Sequence, residues 1–258
     1  MNSRVLIDNK IISYKLIDGK SSRSSPLIVF LHDGLGSIIQ WDSFPEKISS
    51  LTGFPVLVYD RPGHADSDFP DSKKNGDFFL KEAELLIKII QNIKPDNPLI
   101  LIGSSDGGTI SLLFASLFPE RTKTVITIAA HTFVEDKTIQ GVKILKEKFL
   151  QGGFQKALSK FHKDKTNDLF LGWSDLWLSD EFRNWNIFDA LKKISCPVLA
   201  IQGNMDEYGT PEQLYMIKKY VSSHCEIKVI GGTKHFPYLE KENEVSVLIS
   251  EFIFEKLS

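Results

Sequence analysis

Three neighbouring side chains that can act as nucleophiles follow an apolar run in the stretch LILIGSSDGG, residues 99–108. They are Ser104, Ser105 and Asp106. A serine would support acyl transfer through a covalent ester, and an aspartate would support attack on a halide-bearing carbon or an epoxide. A glycine-rich turn that only lets a helix pack closely on a strand would support no chemistry.

The glycine spacing around this cluster favours Ser105. A nucleophile on a tight turn between a strand and a helix brings the residues two before and two after it close together, so both must be small. Ser105 has Gly103 and Gly107 at these positions, and an apolar helical segment, 108–119, follows. The pattern Gly-x-Ser-x-Gly in this setting therefore predicts a catalytic serine.

Neither neighbour of Ser105 fits the turn as well. Ser104 would need Ile102 and Asp106 to be small, and they are not. Asp106 has Ser104 and Gly108 around it, which sterics tolerate, but the strand pattern ends before Ser104 and the turn must follow at once. We expect Asp106 to begin the helix, where its charge interacts favourably with the helix dipole and its amide serves as an oxyanion donor.

Short apolar runs alternate with helical patterns along the chain. The runs predict strands buried on both faces, at 26–32, 55–60, 98–103, 124–130, 197–203 and 225–232. Apolar residues recur at helical spacing between and after them, at 78–93, 211–221 and 240–257. An alternating segment at 4–18 turns around Asp8-Asn9-Lys10 and predicts an antiparallel hairpin. This order predicts an α/β fold with a mostly parallel, doubly wound sheet, whose ligands bind beyond the carboxyl ends of the strands.

One long segment interrupts the alternation of strands and helices. Residues 131–190 contain no clear strand but are rich in aromatic residues, and so long a loop without secondary structure would be unusual. We therefore predict a small helical lid at 131–190, placed over the ligand-binding edge of a core made of 1–130 and 191–258.

The lid holds candidate substrate-contacting residues. Phe170, Trp173 and Trp177 recur at helical spacing. Such a stripe is typical either of packing or of a substrate pocket, and a lid this small has little core of its own. As a pocket, the stripe would be joined by His131, where the chain enters the lid.

The six histidines differ in their position relative to the predicted strands. His224 precedes its strand and so lies at the wrong end of the sheet. His162 lies in the lid, on a segment that we expect to be too mobile to place a base. The other four follow strands and face the ligand-binding edge: His32, His64, His131 and His235. We expect His32 to brace the loop that follows its strand and His64 to have a structural role.

The composition is that of an ordinary soluble domain. The chain has 258 residues, 42% hydrophobic and 25% charged, with a net charge of -2 from 31 basic and 33 acidic side chains. Dispersed lysines argue against nucleic acid and anionic lipid as partners. Because neither a membrane span nor a signal-peptide pattern is present, we expect a cytoplasmic protein, either a monomer or a homodimer. Cys196 and Cys225 begin neighbouring strands and are expected to be free thiols.

Five motifs in this order resemble the α/β-hydrolase superfamily, specifically its lidded serine esterase and lipase-like branch. They are LHDGLGS (31–37), YDRPGHADSD (59–68), GSSDGG (103–108), QGNMDEYGT (202–210) and GGTKHF (231–236). The resemblance covers nearly the whole chain. It implies a triad in the chain order serine, acid, histidine, which differs from the order in the two unrelated serine-protease folds.

By this resemblance, His235 is the general base and Asp206 is the acid that orients it. Some members of the superfamily take the acid from the end of the preceding strand, which leaves Glu135 or Asp136 as an alternative. Glu207, beside Asp206, is a further alternative, although a surface acid that begins the next helix is its simpler role.

The resemblance also implies that Gly34 supplies the second oxyanion donor, alongside the amide of Asp106. Asp33 stands where similar hydrolases have the first glycine of His-Gly-x-x-Gly. There it would narrow the pocket or disfavour anionic groups near the carbonyl, unless it caps its own loop and points away.

Together these residues predict hydrolysis of a small-molecule ester with a small or medium acyl group, through an acyl-enzyme intermediate. No metal or cofactor is implied. Hydrolysis of a thioester, a lactone or a carbon–carbon bond would use the same triad and stays open. A non-catalytic protein that binds a small molecule on the same scaffold is the alternative of a different class.

Overall fold

An eight-stranded sheet forms the centre of the computed structural model, which describes residues 2–22, 25–70 and 75–257. The strands are β1 Ser3–Ile7, β2 Lys10–Ile17, β3 Leu27–Leu31, β4 Val56–Tyr59, β5 Leu99–Ser104, β6 Thr122–Ile128, β7 Val198–Gly203 and β8 Cys225–Ile230. Their order across the sheet is β1-β2-β4-β3-β5-β6-β7-β8. Strands β3 to β8 are parallel, whereas β1 and β2 run antiparallel at one edge.

The predicted fold class, a mostly parallel doubly wound sheet with an antiparallel start, is confirmed. The hairpin turns at Asp8 and Asn9, whose φ angles of 47° and 63° lie in the left-handed region. Asp and Asn tolerate this region better than other non-glycine residues, and a two-residue turn of this kind matches the twist of a hairpin.

Helices cover both faces of the sheet. Those of the core are α1 Phe44–Thr52, α2 Phe78–Ile93, α3 Asp106–Leu117, α8 Glu212–Tyr220, α9 Pro237–Glu240 and α10 Glu242–Leu257. Between β6 and β7 lie α4 Asp136–Leu150, α5 Gly153–His162, α6 Thr166–Leu178 and α7 Phe188–Leu191. The predicted helix at 240–257 is α10 to within two residues, and α1 and the short α9 lie where the sequence analysis assigned no helix.

The two faces of the sheet bury separate sets of side chains, because successive residues of a strand point to opposite sides. In β5, Leu99 and Leu101 belong to the cluster that includes α2 and α3, while Ile100 and Ile102 belong to the cluster that includes α1 and α10. All four side chains are fully buried. The central strand that ends at Ser104 is thus held on both faces.

The ends of the predicted lid, 131–190, lie side by side. Phe133 pairs with Asn186 in an isolated bridge, and the amide of Ile187 donates to the carbonyl of Thr132 over 2.9 Å. Helix α7 begins inside the predicted range but contacts α3 and α8 of the core. The terminal residues 1 and 258 of the predicted core ranges lie outside the described residues.

Within the described ranges, no helix combines the length and the apolar character that crossing a bilayer requires. Cys196 and Cys225 are free thiols, as expected, and Cys225 pairs with Val198 across β7 and β8. Burial raises the pKa of the Cys196 thiol to about 12 and that of Cys225 to about 11. Both are therefore unreactive as nucleophiles near neutral pH.

Candidate active site

Ser105 occupies the sharp turn between β5, which ends at Ser104, and α3, which begins at Asp106. Its backbone angles are φ 51° and ψ -119°, a strained conformation for a non-glycine residue. A Cβ atom on Gly103 would lie 2.2 Å from the carbonyl oxygen of Gly107, and one on Gly107 would lie 2.0 Å from that of Leu31. The two glycines are therefore required for the turn, as the spacing predicted.

Asp206 and His235 come together at the carboxyl ends of β7 and β8. The carboxylate oxygen Oδ1 of Asp206 lies 2.8 Å from Nδ1 of His235, and both side chains are buried. Since a carboxylate only accepts, Nδ1 carries the proton and Nε2 keeps its lone pair. Further hydrogen bonds to Asp206 come from the amide of Tyr208 at 2.8 Å and from Nε2 of Gln202 at 3.2 Å.

The two groups shift each other's pKa. Burial alone would raise the pKa of Asp206, but the charge of His235 and the hydrogen bonds from His235 and Tyr208 outweigh it and lower that pKa to about 2. Burial alone would lower the pKa of His235, but the charge of Asp206 and its hydrogen bond raise it above the usual 6.5. An ionised Asp206 thus makes His235 a stronger base.

The alternative acids are engaged elsewhere. Glu135 accepts from the hydroxyl and amide of Thr210 at 2.5 and 3.0 Å, and from Nε2 of Gln213 at 2.8 Å. Asp136 is exposed and pairs with an arginine, and Glu207 is exposed and lies 3.6 Å from a lysine. Of the four carboxylates that the sequence allowed, Asp206 is bonded to His235.

A cavity of about 220 Å³ lies above Ser105. The side chain of His235 and residues Gly34 and Asp106 line it, so the parts of the predicted site meet around one space. Its upper wall is apolar and comes from all three of the helices α4, α5 and α6, with Val142, Leu145, Phe154, Leu158, Trp173 and Trp177.

The candidate substrate-contacting residues divide into two groups. Trp173, Trp177 and His131 line the cavity. Phe170 does not, which corrects the expectation for this residue. Its ring is fully buried and stacks on Phe149 with centroids 3.8 Å apart and planes 3° from parallel. Phe170 therefore packs between helices of the lid, about one turn before Trp173 and about two turns before Trp177, which line the cavity.

His131 is held in its neutral form. Its Nε2 lies 3.3 Å from the carbonyl oxygen of Tyr208 and must donate to it, while Nδ1 is buried without a hydrogen-bond partner. Burial and the neighbouring charge of His235 lower the pKa of His131. The indole nitrogens of Trp173 and Trp177 are also buried without partners. The residues of the cavity wall thus contain buried polar atoms without hydrogen-bond partners.

The loop after β3 places Gly34 against the first turn of α3. A Cβ atom on Gly34 would lie 2.2 Å from Nε1 of Trp173 and 2.8 Å from Oδ2 of Asp106, so no larger residue fits. The amide of Leu35 donates to Oδ1 of Asp33 at 2.9 Å, whereas the amide of Gly34 donates to none of the described residues. The amide of Asp106, in the first turn of α3, has no partner within its helix.

Asp33 both caps its own loop, through that bond from Leu35, and lines the cavity. Burial raises the pKa of its carboxyl, and the hydrogen bond from Leu35 and the charge of His235 offset only part of this effect. The described residues that line the cavity include no lysine or arginine that would pair with a negatively charged ligand.

Arg61 is a site residue that the sequence analysis missed. It is fully buried, and its Nη2 donates to the carbonyl of Asp33 at 2.7 Å and lies 4.0 Å from Oδ2 of Asp106. The guanidinium thus offsets the charge of the buried Asp106 carboxylate, whose Oδ2 has no hydrogen-bond partner. Its place in the motif YDRPGHADSD, directly after a buried strand, was the available signal.

The remaining histidines have structural positions. His224 is exposed and pairs with Glu226 at 2.7 Å. His32 and His64 are buried behind the loop that contains Gly34. His162, expected on a mobile segment, is instead fully buried and hydrogen-bonded through both ring nitrogens. Within the described ranges, no group of three His, Cys, Asp or Glu side chains is placed to hold a metal ion.

Comparison with known proteins identifies related sequences and structures. The family model of the alpha/beta hydrolase fold matches residues 26–174. The sn-1-specific diacylglycerol lipase ABHD11 of Mus musculus is 30% identical over 121 residues, which are 45% of this chain and 36% of that protein. The proline iminopeptidase of Saccharolobus solfataricus is 22% identical over 94% of this chain and 88% of its own length.

The same architecture occurs among solved structures. A thermophilic esterase from Thermogutta terrifontis superposes with a TM-score of 0.74 over all of both chains, at 17% sequence identity. At that identity the likeness concerns the fold alone.

Proposed function

The chain belongs to the alpha/beta hydrolase fold family, and from this premise we propose that it is a serine hydrolase that cleaves esters of small or medium acyl groups through an acyl-enzyme intermediate. The observation that carries the proposal is the strained Ser105 in the same cavity as His235, which is bonded to the buried Asp206. Strained backbone residues cluster at active sites, and at Ser105 the strain coincides with the cavity and with the Asp206–His235 pair.

In the proposed reaction, Ser105 Oγ attacks the carbonyl carbon of the ester, and Nε2 of His235 takes the hydroxyl proton. Asp206 stabilises the imidazolium that forms. The tetrahedral oxyanion accepts hydrogen bonds from the amides of Gly34 and Asp106. His235 then gives its proton to the leaving alcohol as the carbon–oxygen bond breaks. Water, deprotonated by His235, attacks the acyl-enzyme. His235 returns that proton to Ser105 Oγ as the ester bond breaks, which releases the carboxylic acid and restores the free enzyme.

The size of the cavity supports a compact acyl group. Pockets for drug-sized ligands have roughly 300–1,000 Å³, and this cavity has about 220 Å³. Its apolar wall, formed by the lid at 131–190, suits the hydrocarbon part of an acyl chain. We assign the lid the role of forming that wall.

Electrostatics supports an uncharged acyl group. Asp33 lines the cavity, and no lysine or arginine among the described lining residues would pair with an anionic substrate. The proposed substrate class is therefore a neutral ester with a short acyl chain.

The first test is covalent labelling. A fluorophosphonate should modify Ser105, identified by mass spectrometry of the peptide that contains it, and p-nitrophenyl butyrate should give a burst of p-nitrophenol. Ser105→Ala should abolish both. If turnover survives in Ser105→Ala and is lost in Asp106→Asn, the nucleophile is Asp106 and the proposal is wrong. Binding of esters without any turnover would favour a binding protein.

The second test is bond type. Three substrates share a butyryl group and differ in the bond to be cleaved, which is an oxygen ester, a thioester or an anilide. A lactone and a prolyl anilide are assayed for comparison. The proposal expects the highest kcat/KM for the oxygen ester. A higher kcat/KM for the prolyl anilide would make the protein a peptidase, which is the activity named for the Saccharolobus relative.

A further inference from the structure

Three successive carbonyl groups of the loop after β3 each lie against a different histidine ring. The carbonyl oxygen of Asp33 is 2.8 Å from Nδ1 of His32, that of Gly34 is 3.1 Å from Nε2 of His64, and that of Leu35 is 2.8 Å from Nε2 of His162. The three rings neighbour one another, with centroids 4.7 Å apart for His32 and His64 and 5.8 Å apart for His64 and His162.

The neighbours of two of these rings determine which nitrogen carries the proton. The amide of Arg61 donates to Nε2 of His32 at 3.0 Å, and the amide of Ala65 donates to Nδ1 of His162 at 3.0 Å. Each of these nitrogens is therefore an acceptor, so the other nitrogen of the ring must carry hydrogen. His32 thus donates to the carbonyl of Asp33, and His162 donates to the carbonyl of Leu35.

Holding these carbonyls determines where the amides of the same peptide groups point. In a planar trans peptide, the carbonyl and the following N–H point in opposite directions. The carbonyl of Asp33 is held by both His32 and Arg61, so the N–H of Gly34 points away from these two buried side chains. Gly34 lines the cavity on its other side. The histidines behind the loop thus orient the amide that the proposed reaction uses.

His162 differs from the other two because it belongs to the lid. It is the last residue of α5, while His32 and His64 belong to the core. Its ring lies between the loop after β3, through Leu35, and the loop after β4, through Ala65. Burial lowers its pKa, which keeps Nδ1 free to accept near neutral pH. The lid is therefore hydrogen-bonded to the residue next to Gly34.

We propose that His162 is a positioning residue through which the lid holds the oxyanion loop in its catalytic conformation. The inference rests on the proposed function, because it assigns Gly34 to the oxyanion hole. His162 touches no substrate in this arrangement. It acts on the transition state through the backbone of Leu35 and Gly34, so that the oxyanion hole is complete when the lid is seated on the core.

Lys165 provides a matched control from the same lid. Its Nζ donates to the carbonyls of Ala65 and Ser67, both at 2.6 Å. It therefore fastens the lid to the loop after β4, as His162 does, but makes none of the hydrogen bonds to the loop after β3. A loss that appears in a His162 variant and not in Lys165→Met acts through the oxyanion loop rather than through general attachment of the lid.

The experiment compares His162→Phe, His162→Gln and Lys165→Met in the full chain. A trifluoromethyl ketone, which forms a charged tetrahedral adduct with the serine, measures oxyanion binding. We expect His162→Phe to lower kcat by about tenfold and the affinity for the ketone by about tenfold, with KM little changed. These losses are smaller than the roughly hundredfold loss in kcat expected when a whole oxyanion donor is removed. Glutamine can still donate to Leu35 and should restore most of the loss, and Lys165→Met should leave kcat and ketone affinity near wild type.

Three outcomes would overturn the inference. Equal losses in His162→Phe and Lys165→Met would mean that lid attachment alone matters. A change in KM without a change in kcat or ketone affinity would place His162 in substrate binding. An unchanged kcat in a His162→Phe protein with a wild-type Tm would remove any role. If His162→Phe does not fold, His162→Met, which also lacks the donor to Leu35, takes its place in the same comparison. Failure of the fluorophosphonate to label the wild-type protein would instead defeat the proposed function itself.

Discussion

The carboxylate of Asp206 and the imidazole of His235 form a buried hydrogen bond of 2.8 Å between residues that follow two neighbouring parallel strands, β7 and β8. The pair lies at the carboxyl edge of the sheet, where the turn that carries Ser105 also lies. The amide of Tyr208 and the side chain of Gln202 fix the carboxylate from two further directions. Asp206 therefore holds the histidine ring in one orientation and one tautomer.

This pair predicts the pH dependence of the reaction. Asp206, with a pKa of about 2, stays ionised over the working range, whereas His235 must lose its proton to act as a base. Because the pKa of His235 is raised above 6.5, kcat/KM should rise with pH through an apparent pKa above 6.5. Asp206→Asn should move that limb to lower pH and reduce kcat by about three to four orders of magnitude.

Initial rates with a neutral p-nitrophenyl ester across the pH range measure this limb. Asp136→Asn, at an exposed acid that pairs with Arg183, is the control and should leave both the limb and kcat near wild type. A limb that Asp206→Asn leaves in place would mean that another group governs the rate.

Alanine substitutions of two glycines should change the free energy of unfolding in opposite directions, because one glycine lies at the strained turn and the other at an open position in a helix. Gly107→Ala would place its methyl 2.0 Å from a backbone carbonyl, so we expect a loss of about 3 kcal/mol in the free energy of unfolding, together with loss of activity. Gly172, within α6, has nothing within 4 Å of such a methyl. Gly172→Ala should raise the free energy of unfolding by about 0.5–1 kcal/mol.

Urea denaturation followed by fluorescence measures both changes. If Gly107→Ala were as stable and as active as Gly172→Ala, the close approach of α3 to β3 would not be needed in solution.

Asp33→Asn should relax discrimination against anionic acyl groups. Asparagine keeps a carbonyl oxygen for the amide of Leu35, so the loop is retained while the charge is removed. For the p-nitrophenyl monoester of succinic acid, kcat/KM relative to the neutral butyrate should rise by up to about fivefold, which corresponds to about 1 kcal/mol. The ratio should rise less at high salt. An unchanged ratio would show that Asp33 does not act on the substrate's charge.

The preferred acyl-chain length should depend on lid residues that line the cavity and not on residues packed inside the lid. Val142→Ala removes two carbon atoms from the wall, so the preferred acyl chain should become longer by about two carbons. Phe170→Leu, inside the lid stack, should lower Tm but leave the preferred chain length unchanged. A series of p-nitrophenyl esters from acetate to decanoate measures the preference. If only Phe170→Leu changed the preferred acyl-chain length, Phe170 would be a substrate-contacting residue.

Much of the fold could be predicted because its signals are local. Apolar runs predicted each strand from β3 to β8 to within about two residues, and Asp8-Asn9 predicted the hairpin turn. Helix α1 was missed because the apolar residues of Phe44–Thr52 are few, and its packing on α10, far along the chain, stabilises it. Local sequence does not report that kind of contact.

Local sequence does not place side chains whose partners come from distant parts of the chain. The sequence analysis predicts a mobile segment at His162 because it lies in the lid, yet its ring is buried between two core loops. Arg61 was passed over because its partners, Asp33 and Asp106, come from separate parts of the chain. Phe170, Trp173 and Trp177 share one periodic stripe, but only the packing of α6 against α4 determines which of them face the cavity.

The sequence by itself determined the elements and the turn that presents Ser105, because backbone sterics at Gly103 and Gly107 depend on neighbours two residues away. It also restricted the other candidates to residues that follow strands, since parallel strands end at one edge. Only the tertiary structure decided that Asp206, rather than Glu135, bonds His235, and that histidines from both core and lid hold one loop. These choices depend on distances between residues far apart in the chain, which are set by the packing of whole helices and strands.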